Sequence, residues 1–161
     1  MWSSEPSRRA WLLGALALGG CGFTPAYGPG GAAPLRGTMA VETPATFPGY
    51  LLRARLLDRL GPAERPLYLL DIDVTEETEQ AAISADGAVL RYRLLGAARY
   101  ALRPVAGGDA LAEGTVEDIA SYSTTLGTVA SEAAERDARE RLAVLLADQI
   151  VTRLLAVPAR P

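Results

Sequence analysis

Arg91, Arg93, Arg99 and Arg103 occupy odd-numbered positions in one stretch of the chain, a spacing that puts all four on one face of an extended strand. A guanidinium presents a fixed fork of N–H donors, so such a row can hold neighbouring carboxylates or an anionic ligand. If Ala85-Asp86-Gly87 is a three-residue hairpin loop, Asp73 falls opposite Arg99 and Glu79 opposite Arg93. A second hairpin then places Arg99 near Glu113 and Arg103 near Asp109. Arg91 alone faces Ala81 and Ser121. Arg91 and its strand neighbour Arg93 are therefore the groups expected to offer guanidinium to an external phosphate or carboxylate, as in contact with an anionic glycolipid. The competing reading is plainer: a solvated sheet face kept soluble by mixed charge.

Other polar residues give less. Asp71 and Asp73 share a strand face at i and i+2, but no third ligand or His accompanies them, so neither a metal site nor an acid–base pair is expected. Ser84, Ser121 and Ser123 lack a partner base. The chain contains no His, which removes the commonest general base and metal ligand. Its glycine-rich stretches do not follow the strand–loop–helix order that cradles phosphate. No enzyme, cofactor or metal is expected. All 16 basic residues are Arg, yet the net charge is −3, which argues against a protein that tracks nucleic-acid phosphates.

The one cysteine, Cys21, rules out an internal disulfide or a multi-cysteine metal site. It follows Arg8 and Arg9, the apolar run Trp11 to Leu18, and small Gly19 and Gly20: the layout of a secretory signal peptide over residues 1–20. The run is too short to span a bilayer. Leu-Gly-Gly-Cys at 18 to 21 resembles a bacterial lipobox, in which the thiol is diacylglycerylated, the leader is cut before it, and the new amine is acylated. Isolation then suits the thiol, since a spare one can mispair in an oxidising compartment. At about 0.8 kcal/mol per buried methylene, two or three acyl chains hold durably where one holds marginally. Gly22 stands where an Asp favours inner-membrane retention, so the outer membrane is expected. Ser7 to Leu13 also resembles a twin-arginine motif, and either export route fits.

Residues 21–37 are rich in Gly and Pro and read as a tether. A single domain is expected over 38–157. Its elements are a short strand at Met39 to Glu42, then a helix entered at Pro48 and ended by Gly61-Pro62, with Leu52, Leu56 and Leu60 on one face. Three strands follow: one through Leu70, Ile72 and Val74 to Ile83, one bearing Leu90, Tyr92, Leu94, Ala98, Tyr100 and Leu102 inward, and one from about Ala110 to Tyr122. Mixed alternation around Glu117-Asp118 predicts a bulge there. A long helix over Thr128 to Leu155 closes the chain. Its expected buried stripe is Ala134, Ala138, Leu142, Leu146, Ile150 and Leu154, widened by Leu145. Its charge run, with i,i+4 pairs Glu132–Arg136, Glu135–Arg139 and Asp137–Arg141, reads as a solvated face. A sheet with one apolar face needs a cover, so the expected fold class is α+β: a two-layer sandwich, two helices on a four-stranded, mostly antiparallel sheet, in the order β-α-β-β-β-α.

Two stretches resemble a known family. Gly20-Cys21-Gly22-Phe23-Thr24-Pro25-Ala26-Tyr27-Gly28 resembles the mature start of alphaproteobacterial LptE proteins, the lipopolysaccharide-assembly lipoproteins. Ser121-Tyr122-Ser123, then Val129-Ala130 and Ala134 to Leu142 running into Leu146 to Ile150, resembles the family's closing strand and final helix. The resemblance implies the same sandwich and a non-enzymatic outer-membrane role. The LptD barrel would be partner, with this protein as its plug, and lipopolysaccharide would be bound during insertion into the outer leaflet. Of the functional residues only Cys21, the lipidation site, carries over. Arg91 and Arg93 rest on the strand argument alone. The alternative is a free periplasmic lipoprotein that holds a small or lipidic ligand in an apolar pocket between sheet and helices.

Overall fold

The computed structural model of the chain describes residues 36–124 and 127–156. The expected leader, most of the expected tether and Cys21 lie outside them.

The order of elements is as expected: β1 (Met39–Glu42), α1 (Phe47–Leu60), β2 (Tyr68–Ile83), β3 (Val89–Pro104), β4 (Ala112–Ser123) and α2 (Thr128–Leu155). The sheet runs β1-β2-β3-β4, with β1 parallel to β2 through the α1 crossover and the other pairs antiparallel. Thr46 caps α1, its hydroxyl accepting from the Gly49 N–H at 3.3 Å, and Pro48 occupies the first turn. Gly61 ends it at φ 75°, donating to the Leu57 carbonyl. Both helices cover one face of the sheet. Leu52 and Leu56 of α1, Ile150 and Leu154 of α2, and Met39, Leu70 and Leu94 of the strands have no exposed surface. Removing a leucine side chain from water stabilises by about 1.5–3 kcal/mol, so these positions dominate the core.

The first hairpin closes as expected, with the Ser84 N–H donating to Ala88 at 2.8 Å around the three-residue loop. Asp73 stands opposite Arg99 and Glu79 opposite Arg93. The register then shifts between Gln80 and Ala82, so Arg91 faces Ala82 and Ser123 rather than Ala81 and Ser121. The bulge therefore sits at the end of β2 and not at Glu117-Asp118, where the β3–β4 register is unbroken. In the second hairpin Arg99 lies opposite Thr115 and Glu113 opposite Ala101, two residues from expectation. The connecting loop is wider than assumed because Gly107 and Gly108 both take positive φ, and Asp109 stays within it. A two-residue slip keeps every side chain on its face.

On α2 the buried stripe is widened by Ala143, Ala147 and Val151, whereas Leu145 is 41% exposed. The charge run is not wholly solvated. Arg139 leaves the helix surface and binds Glu76 of β2 at 2.8 Å, while also pairing with Glu135 at 2.6 Å.

Candidate functional site

Alternation gives the sheet two faces. One row of the helix-covered face, Glu76–Gly96–Asp118, is neither apolar nor empty. Each member receives one residue of α2: Glu76 takes Arg139, Gly96 lies under Leu142, and Asp118 accepts from Gln149 at 2.8 Å. A Cβ on Gly96 would come within 2.9 Å of Leu142 Cδ2, so the glycine is what lets the helix approach. The hydrogen bond from Arg139 to Glu76 holds the Arg139 guanidinium above its ordinary pKa. Asp118 also accepts the N–H of Ile119 at 2.8 Å. Polar residues at buried-phase positions were the only sequence signal for this row, and they mimic a bulge. Beside it Tyr92 and Tyr122 stack at 5.4 Å, and burial, then the Glu135 charge, raises the Tyr122 phenol pKa.

The other face is open and carries the arginine row. Carboxylates outnumber arginines there: Asp71, Asp73, Glu77 and Glu79 line β2, and Glu113 and Glu117 line β4, around Arg91, Arg93, Arg99 and Arg103 of β3. Asp71, Asp73, Arg99, Arg103 and Glu113 border an open hollow of about 520 Å³, with charges of both signs. Arg93 is not free: it binds Glu79 at 2.9 Å, with both side chains near half exposure. Such a surface pair is worth under about 1 kcal/mol, but it occupies the guanidinium. Arg91 is exposed and forms no ion pair among the described residues.

Arg91 stands at the hairpin end of the sandwich. Thr124 ties that end together, its N–H donating to Leu90 and its hydroxyl to Val89, just before α2 begins. Ile83 (58% exposed), Leu90 (38%) and Val129 (82%) are the large apolar side chains of this end. Ile83, opposite Val89, shares the open face with Arg91, whereas Leu90 turns to the helix-covered face; a free guanidinium on the same face as an exposed apolar side chain suits an anionic amphiphile. By contrast, the gap between helices and sheet at Leu52, Val74, Leu142 and Leu146 measures about 10 Å³. That is room for about one water, far below the several hundred Å³ of a ligand pocket.

No group of three or more His, Cys, Asp or Glu among the described residues is placed to hold a metal ion, and no described helix is long and apolar enough to cross a membrane. A family model for LptE, lipopolysaccharide-assembly, matches residues 37–154, the whole sandwich from the entry to β1 to the last turn of α2. The chain belongs to the LptE family. Solved structures share the fold of this LptE-family chain. A Caulobacter crescentus protein described as a lipoprotein is 24% identical, with a TM-score of 0.61, over 73% of this chain and 87% of its own. Rare lipoprotein B of Shewanella oneidensis is 18% identical, with a TM-score of 0.54, over 73% of this chain and 92% of its own. A minor lipoprotein of Acinetobacter baumannii is 18% identical, with a TM-score of 0.55, over 78% and 97%. At these identities the likeness is one of fold. Comparison with curated proteins gives no match.

Proposed function

We propose that this LptE-family chain is a non-enzymatic outer-membrane lipoprotein, anchored through acylated Cys21, that serves as partner and plug of the LptD barrel in lipopolysaccharide transport and assembly. The observation that carries the reading is the family match, which spans the complete sandwich and leaves none of its six elements out. The physical character of the domain supports it. Barrel interiors are polar and watery, and a plug for one needs a closed core with a charged exterior. The open sheet face, dense in carboxylates and arginines, supplies that exterior. Arg91, with Ile83 on the same face, is the contact for the anionic head group and acyl region of lipopolysaccharide; Arg93 contributes less, being held by Glu79. The alternative of a small-ligand carrier is disfavoured by the 10 Å³ gap between the layers.

Detergent extraction of native outer membranes tests the reading together with palmitate labelling. The full chain is expected to incorporate label and to bring down a large barrel protein in near-equal amount, and Cys21→Ala is expected to lose the label. A labelled chain recovered without any barrel overturns the plug reading. An unlabelled wild type with its leader intact overturns the anchor.

A further inference from the structure

The two edges of the sheet are finished differently. On β4, the Thr124 N–H points inward to Leu90, so strand alternation turns the backbone groups of Glu117, Ile119 and Ser121 outward. All three positions are met from within the molecule. Gln149 donates to the Glu117 carbonyl at 3.1 Å, Arg141 to the Ser121 carbonyl at 3.2 Å, and the Ile119 N–H is taken by the Asp118 carboxylate. An incoming strand would have to displace these side chains, the kind of guard that keeps a sheet edge from pairing.

The β2 edge has no such guard. Its Tyr68 N–H donates to Thr38 on the β1 side, so even-numbered β2 residues aim their backbone groups away from β3. β1 is short, and its ladder ends at Glu42 and Asp71. Beyond it the outward N–H and C=O groups of Glu76, Thr78 and Gln80 receive no side chain among the described residues, and the bulge begins only after Gln80. The stretch is also charged with one sign. Among the described residues Glu77, Asp73 and Asp71 lie exposed on the open face without an ion pair, and only Glu79 is neutralised, by Arg93. Pairing with a second copy would bring Glu77 and Glu79 against like charges.

We infer that residues 76–80 of β2 are a strand-addition site for an extended, Arg- or Lys-bearing segment of the barrel polypeptide, an inference that rests on the barrel-partner reading above. Main-chain hydrogen bonds to Glu76, Thr78 and Gln80 supply affinity, and basic side chains at alternate positions meet Asp73 and Glu77. The test uses the lipidated full chain in native outer membranes. Thr78→Pro removes one outward donor and leaves the β3 ladder intact, as an edge position tolerates; Glu77→Lys reverses the charge without touching the backbone. Glu113→Lys, on the far side of the open face, is the control. Barrel recovery is expected to fall at least tenfold for Thr78→Pro and Glu77→Lys and to hold for Glu113→Lys. Where Thr78→Pro lowers the thermal midpoint, Glu77→Lys alone decides. Undiminished recovery with Glu77→Lys overturns the edge site while leaving the barrel partnership standing. Wild type that recovers no barrel overturns both, and a purified chain that sediments as an edge-paired dimer, broken by Thr78→Pro, replaces the barrel segment with a second copy and overturns the inference.

Discussion

Arg91 and Arg93 differ by one alternation and by one partner. The bulge after Gln80 sets Arg91 opposite Ala82 in place of Ala81, neither of them a carboxylate, whereas Arg93 lies level with Glu79 and is bound by it. A guanidinium already engaged gives up a hydrogen bond to take a phosphate, and a free one does not. Arg91→Glu is therefore expected to weaken binding of purified lipopolysaccharide more than Arg93→Glu, by roughly tenfold for a lost charge-assisted bond of about 1.5 kcal/mol. Thermal unfolding should hardly move in Arg91→Glu, since no ion-pair partner among the described residues is lost. Fluorescence titration with each variant checks the order; equal losses would remove Arg91 from its special place. The alternating arginines and their acids were legible in the sequence, and so were the Asp73–Arg99 and Glu79–Arg93 registers. That Arg91 faces no carboxylate was legible too; that Glu79 holds Arg93, and that Ala82 and Ser123 are the neighbours of Arg91, was settled by side-chain pairing and one extra residue in β2.

α2 is seated through contacts that amphipathic periodicity does not describe. Its apolar stripe explains the buried leucines, but its position over the sheet depends on the row Glu76–Gly96–Asp118. Leu142 fills the space that a side chain at residue 96 would claim. Gly96→Ala is expected to destabilise by about 1–3 kcal/mol through overpacking. In a Leu142→Ala background the same change should become neutral or stabilising, giving a coupling of about 0.5–3 kcal/mol in a double-mutant cycle followed by urea unfolding. Strict additivity would mean that Gly96 is not what admits the helix. Asp118 in the buried phase looks like a register break in sequence and is a helix-docking residue in the fold. Leu145 errs in the opposite sense: it fits the apolar spacing, yet smaller Ala143 and Ala147 are buried instead. Close packing favours small side chains there, and periodicity alone does not weigh size.

At the scale of the molecule one core joins both helices to all four strands, with no fully buried polar or charged residue among those described. Leu56 of α1 is wholly enclosed in it. Leu56→Ala is expected to cost about 2–5 kcal/mol, as cavity-forming changes in cores do. Helical and tyrosine signals should still fall in one transition, because the elements share that core. Separate melting of α1 on circular dichroism would contradict a single cooperative unit. A core this closed leaves its surfaces as the places where function resides. The hairpin end carries the free guanidinium, and the unguarded β2 edge belongs to the same β2–β3 hairpin, so the proposed glycolipid and barrel contacts would converge on it.

Hydrophobic periods of two and 3.6 residues, the Gly and Pro punctuation, and the leader-like run before Cys21 lie wholly along the chain, and from them element order, inner and outer faces, the α+β class and the expected lipid anchor follow. Family membership was legible through a resemblance carried by two local stretches, residues 20–28 and 121–150. Loop width at Gly107-Gly108, the bulge beyond Gln80, the reach of Arg139 to Glu76 and the contrast between guarded and unguarded edges were decided by tertiary structure. Each is a relation between residues distant in sequence, and such relations take their values only when backbone conformation and side-chain volume are satisfied together in three dimensions.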